Sequence, residues 1–240
     1  MTTIRTEPCR YRDGETDLIG FLTYDAAHTS PRPGVLVVPE APGISEHTQR
    51  RARMLAELGY VALGIDLHGG GHVAQGMEEM LARVNGWKAD IGAWRRRIGA
   101  ALSALRGIER VDATRVAAIG YCFGGSSVLE LARSGAQLRA VVCFHGELLS
   151  NPPAAEGIQA SVLVCNAAED PFAPLDRLQA LKQELNDARV DWQIEIYGGS
   201  RHGFTNPASD AAGLPMFGYH AAADRRSWSS ATAWLAEAFA

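Results

Sequence analysis

The sequence predicts an α/β protein built on a doubly wound, mostly parallel sheet flanked by helices. Three observations point there. Short runs rich in branched apolar residues alternate with helical patterns from one end of the chain to the other. No repeat, low-complexity tract or composition break divides the 240 residues, and with 47% of them hydrophobic a single large core can be filled, so residues 1–240 are expected to form one domain. Finally, Gly120-Tyr121-Cys122-Phe123-Gly124 stands where a strand pattern gives way to a helix pattern, as a sharp strand-to-helix reversal requires.

Strands are predicted at Leu18 to Tyr24, Val35 to Val38, Val61 to Ile65, Val116 to Ile119, Ala140 to Phe144, Val162 to Cys165 and Trp192 to Tyr197. An antiparallel strand or two is expected at the amino-terminal edge. Among the helices, Arg50 to Leu58 stops at Gly59, and Trp87, Ile91, Trp94, Ile98, Leu102 and Leu105 recur at steps of three and four as one amphipathic helix. Gly124 onward is helical with Val128, Leu129, Leu131 and Ala132 inward, Pro174 to Leu185 opens on proline, and Trp228, Ala231, Leu235 and Phe239 mark a last helix.

A formal net charge of −4 gives no general attraction to nucleic acid, and the run Arg95-Arg96-Arg97 falls mostly on the solvated face of its helix. Residues 1–10 are polar and lack a signal-peptide core, and no apolar stretch has membrane-spanning length, so a cytoplasmic protein without membrane attachment is expected. The four cysteines, at 9, 122, 143 and 165, lack the spacing of a metal site or disulfide scaffold and are expected to be reduced.

The pentapeptide lifts the Cys122 side chain clear of the sheet, and the N–H groups that open the following helix favour thiolate over thiol. In open sheets of this kind the working groups sit in loops at the carboxy-terminal strand ends. After Val162 to Cys165 that rule finds Asp170, with Glu169 and Asp176 as neighbouring acids. After Trp192 to Tyr197 it finds His202, bracketed by Gly199 and Gly203. His28, His47 and His220 lie elsewhere in the order of elements. The succession Cys122, Asp170, His202 is the one used by α/β-hydrolases, in which an acid orients the histidine that serves the nucleophile.

With these residues in hand, the chain resembles the dienelactone hydrolase (carboxymethylenebutenolidase) family of the α/β-hydrolase superfamily over essentially its whole length. The matches are Gly120-Tyr121-Cys122-Phe123-Gly124-Gly125, the Asp170 loop, His202-Gly203-Phe204, and Glu40 just after Val35 to Val38. The resemblance implies the α/β-hydrolase fold and a hydrolase of small lactones or esters acting through a cysteine acyl-enzyme, with no metal or organic cofactor. It also implies that Glu40 contacts the thiol and takes part in activating it. By position, the N–H groups of Ala41 and Phe123 would form the oxyanion hole.

Family members hold a substrate carboxylate with arginines, one of them four residues beyond the catalytic histidine; here that position is Asn206, and an amide does not replace a guanidinium fork. Arg83 and Arg201 are the candidates to compensate. Trp87, Phe144, His145, Phe172 and Phe204 are candidate pocket walls. His68-Gly69-Gly70-Gly71-His72 comes one strand too late for an oxyanion loop and has too few ligands for zinc, so it is expected to be a glycine loop near the site. The alternatives are a broad esterase or thioesterase on the same residues, and a non-catalytic binding protein of the same fold. The sequence does not set an oligomeric state.

Overall fold

The computed structural model describes residues 2–148 and 157–240. The chain divides into two compact units, Met1–Ile119 and Gly120–Ala240. The first carries β1 (Ile4–Asp13), β2 (Thr16–Asp25), β3 (Arg32–Val38), α1 (Glu46–Glu57), β4 (Val61–Gly64), α2 (Gly76–Ala89), α3 (Ile91–Arg106) and β5 (Val111–Tyr121), whose last residues pass into the second unit. Its strand order is β1-β2-β4-β3-β5. β1 and β2 form an antiparallel hairpin, β2 pairs antiparallel with β4, and β3 pairs parallel with β4.

β1 was not among the strands predicted from sequence. Most of its residues are exposed or half-buried, as befits a strand at the sheet edge, so it lacks an apolar run. Its hairpin turns on Gly14-Glu15, with Gly14 at φ 56°, where a side chain would be strained. The helix expected through Trp87 and Leu105 is two helices. The Asp90 side chain accepts from the Ala93 N–H and caps α3, leaving Trp87 on α2. In the run of arginines, Arg97 turns inward to pair with Asp13 at 2.9 Å and donate to the Leu67 carbonyl. None of the residues of α2 is buried.

The second unit holds α4 (Phe123–Arg133), β6 (Ala140–Phe144), β7 (Ser161–Ala167), α5 (Leu175–Ala188), β8 (Trp192–Tyr197), a 3-10 turn at Pro207–Ala212 and α6 (Ala221–Ala238). β6, β7 and β8 are parallel neighbours and bury Val141, Val142, Leu163 and Val164 completely. α6 packs over β6 and β7, and Leu185 of α5 and Leu235 of α6 are also fully buried. Arg133 at the end of α4 is a buried cation shared by two carboxylates, Glu130 at 2.9 Å and Glu184 at 2.7 Å, so the guanidinium is not left without an opposite charge. Among the described residues no helix is long and apolar enough to cross a membrane.

The start of α4 lies against the ends of β5 and β6. A Cβ on Gly120 would run into the Gly124 carbonyl oxygen, and one on Gly125 would meet the Phe144 carbonyl oxygen at 2.8 Å. Both obstacles are backbone, so the chain must shift to make room. Gly120→Ala is expected to lower the free energy of unfolding by about 3 kcal/mol, measured as a fall in the urea midpoint at unchanged slope; a midpoint equal to wild type would contradict this packing.

Candidate active site

Cys122 occupies the junction of β5 and α4 with φ 54° and ψ −120°, a conformation outside the usual range for a side chain with a Cβ. Its N–H reaches both the Phe144 carbonyl at 3.0 Å and Nδ1 of His145 at 3.0 Å. The sulfur is half-buried and stands in hydrogen-bonding contact with His202.

His202 and Asp170 complete a line of contacts. Asp170 follows β7, its side chain wholly buried, and its Oδ2 accepts from Nδ1 of His202 at 2.8 Å. Its Oδ1 accepts from the Phe172 N–H at 2.9 Å, which fixes the carboxylate plane. Glu169 and Asp176, the other acids considered for this place, are exposed. With Nδ1 turned to the carboxylate, the remaining ring nitrogen of His202 is the one directed to sulfur. Burial works against the charged ring, but the Cys122 sulfur and the Asp170 carboxylate outweigh it and push the His202 pKa up to about 10.

Aromatic rings enclose the His202 imidazole. Phe172, Phe217 and His145 stand edge-on to it with centroids at 4.9, 5.1 and 5.2 Å. Phe172 is 43% exposed and can face a bound molecule. His145 and Phe204, also expected at the substrate, are instead wholly buried. Phe217 was not foreseen; it lies in irregular chain that returns to pair with His202 through a backbone bridge. Asn206 uses its Oδ1 to cap the 3-10 turn, accepting from the Ala208 N–H at 3.0 Å, while Arg201 donates to the Pro215 carbonyl at 3.0 Å.

In the first unit, Glu40 and Ala41 follow β3. Glu40 is largely buried, and Oε1 lies 3.7 Å from Nδ1 of His47. The fully buried Arg51 donates to Nε2 of that ring at 3.2 Å. A nitrogen that accepts cannot carry the proton, so His47 is neutral; burial lowers its pKa in spite of the Glu40 carboxylate beside it. Ala41 is buried, and its carbonyl accepts from Nε2 of His68 at 2.8 Å. The glycine loop between His68 and His72 is laid out by Asp66, whose carboxylate accepts from the N–H groups of His68, Gly69 and Gly71. His72 pairs with Glu79, which also holds Arg83 at 2.7 Å, and the Arg97 guanidinium covers the Trp87 ring at 5.1 Å.

Comparison with known proteins settles the family. The model of the dienelactone hydrolase family matches residues 20–239. The chain belongs to the dienelactone hydrolase family. A putative carboxymethylenebutenolidase of Yersinia pestis is 25% identical over 92% of this chain and 84% of its own length. Among solved structures, the protein named m3DLH is 44% identical with a TM-score of 0.96, covering 99% of both chains. A dienelactone hydrolase-like promiscuous phosphotriesterase from metagenomic libraries is 42% identical with a TM-score of 0.95, also covering 99% of both. The fold is that of the α/β-hydrolases, and the protein is a hydrolase of this family.

The sign of the His202 shift sets a pH dependence. Because the folded value of about 10 exceeds the ordinary 6.5, protonated His202 contributes stability fully below pH 6.5 and loses that contribution as the pH rises through about 10. Imidazole NMR should show His202 still protonated at pH 8, with its midpoint lowered in Asp170→Asn and again in Cys122→Ala. A ring that titrates near 6.5 in the unaltered protein would contradict the assignment.

Proposed function

We propose that the protein hydrolyses small, uncharged lactones or esters through a cysteine acyl-enzyme. The observation that carries this reading is the unbroken contact from the strained Cys122 to His202 and on to the buried Asp170 carboxylate. In the proposed sequence, the sulfur, its proton already held on His202, attacks the acyl carbon. The tetrahedral oxyanion is received by the N–H groups of Ala41 and Phe123. It collapses to a thioester as the C–O bond breaks and His202 protonates the departing oxygen. Water, deprotonated by His202, then attacks the thioester, releasing the acid and freeing the sulfur with the proton left on His202. Asp170 holds the ring in one tautomer and stabilises its charged form throughout. Glu40 is assigned to activation of the thiol.

The contacts of the candidate cations support an uncharged substrate. Asn206 stands where relatives carry an arginine and is used as a cap; Arg201 is tied to Pro215 and Arg83 to Glu79. Phe172 and Phe217 offer apolar edges beside His202 instead. A second reading, favoured by the phosphotriesterase that is 42% identical over nearly the full chain, is hydrolysis of neutral phosphotriesters by attack of the same sulfur on phosphorus.

Cys122→Ala should abolish turnover of a p-nitrophenyl ester or an enol lactone, and His202→Ala should slow it by a factor of about 10³ or more. Retention of most activity in either variant would reject the mechanism. Paired lactones that differ only by a carboxylate should show kcat/KM at least equal for the uncharged member, unchanged in Arg83→Ala and Arg201→Ala. A strong preference for the carboxylated lactone, lost in one of these variants, would restore a carboxylate clamp. Diethyl p-nitrophenyl phosphate separates the second reading, since turnover abolished by Cys122→Ala supports it and no turnover removes it.

A further inference from the structure

His145 touches both halves of the proposed machinery, although no substrate can reach it. Its ring is completely buried, directly after β6, and its backbone is in the left-handed region at φ 39°. That conformation is costly for a residue with a side chain and persists where surrounding contacts hold it. Here the backbone N–H of His145 donates to the Cys165 carbonyl of β7 at 2.9 Å, and the turn directs the imidazole beneath the Cys122 junction instead of along the strand.

The two ring nitrogens then have assigned roles. A backbone N–H can only donate, so Nδ1, which receives the Cys122 N–H at 3.0 Å, carries no proton. The proton is therefore on Nε2, which donates to Oγ1 of Thr205 at 2.8 Å. Thr205 is fully buried and lies three residues beyond His202 on the same loop. Between these two bonds, the ring edge packs on His202 at 5.2 Å and on Phe204 at 5.2 Å.

From this juxtaposition we propose that His145 is a positioning residue, a neutral bracket that ties the backbone of Cys122 to the loop carrying His202 and so sets the separation of sulfur and imidazole. The proposal rests on the reading of Cys122 as nucleophile and His202 as its proton acceptor. It adds what holds the two in register. Sulfur and imidazole come from loops 80 residues apart in sequence, and side-chain misplacement on the scale of 1 Å is enough to cost about a hundredfold in rate. A bond from the nucleophile's own N–H to a side chain that also grips the histidine loop removes that freedom. The Phe144 carbonyl shares the Cys122 N–H, so loss of the His145 ring leaves the donor satisfied and the fold intact while the bracket is gone.

The test compares His145→Leu, His145→Asn and Thr205→Val with the unaltered protein. Asparagine tolerates the left-handed backbone and offers an acceptor where Nδ1 stands; leucine offers neither. His145→Leu should lower kcat on a p-nitrophenyl ester by about tenfold or more with KM little changed, and His145→Asn should recover much of the loss. Thr205→Val, which leaves the Cys122 bond in place, should lower kcat by about two- to tenfold. In His145→Leu the NMR midpoint of His202 should also fall below its value of about 10, because the sulfur that raises it has moved away. Unchanged kcat and His202 midpoint in folded His145→Leu would overturn the proposal. So would normal kcat in Thr205→Val should the leucine variant fail to fold. Full activity in Cys122→Ala would instead bring down the underlying mechanism, a result distinct from either of these.

Discussion

The close approach of α4 to the ends of β5 and β6 is the constraint on which the site depends. Gly120, Gly125 and Gly146 leave no room for a side chain where backbone meets backbone, and the crowding drives Cys122 into its strained conformation. Strain of this kind is offset by packing elsewhere in the second unit, where Tyr121 stacks on Phe144 with centroids 4.6 Å apart and the parallel strands are fully buried. The sulfur is held at the start of a helix, at the end that carries partial positive charge.

Charge is distributed sparingly around that point. The second unit places one buried carboxylate, one imidazole and one sulfur in a line of contacts, and flanks the imidazole with the rings of Phe172 and Phe217. In the first unit, Glu40 faces a neutral histidine backed by a buried arginine, an arrangement that fixes a carboxylate without placing a full cation against it. Two of the remaining thiols are of another kind. Burial pushes Cys143 up to about 12 and Cys165 well above the ordinary thiol value, leaving them as core residues, chemically quiet.

Much of this could be read from the sequence because the chemistry sits at strand ends and the strands are apolar runs. Cys122, Asp170 and His202 each follow such a run, and the structure brings their side chains into contact. What escaped was whatever a local pattern does not encode. β1 is an exposed edge strand without a hydrophobic face, and the break between α2 and α3 depends on one capping carboxylate inside an otherwise continuous helical period. His145 looked like a pocket wall because nothing in Phe144-His145-Gly146 announces a left-handed histidine. Phe217 reaches His202 from irregular chain, where no periodicity points to a neighbour. The loop from His68 to His72, expected as a glycine loop near the site, is organised by Asp66 and tethered to the Ala41 carbonyl, which no spacing of residues announces.

The helix α2 has a different standing from every other helix here, because none of its fourteen residues is buried. Glu79, Met80, Arg83, Val84 and Trp87 are half-covered and the rest of the segment is exposed, so its sequence can drift at little cost to the core. Evolution, or an engineer grafting new loops for new substrates, has in that stretch a region to rewrite while the frame that aligns sulfur and imidazole is inherited unchanged.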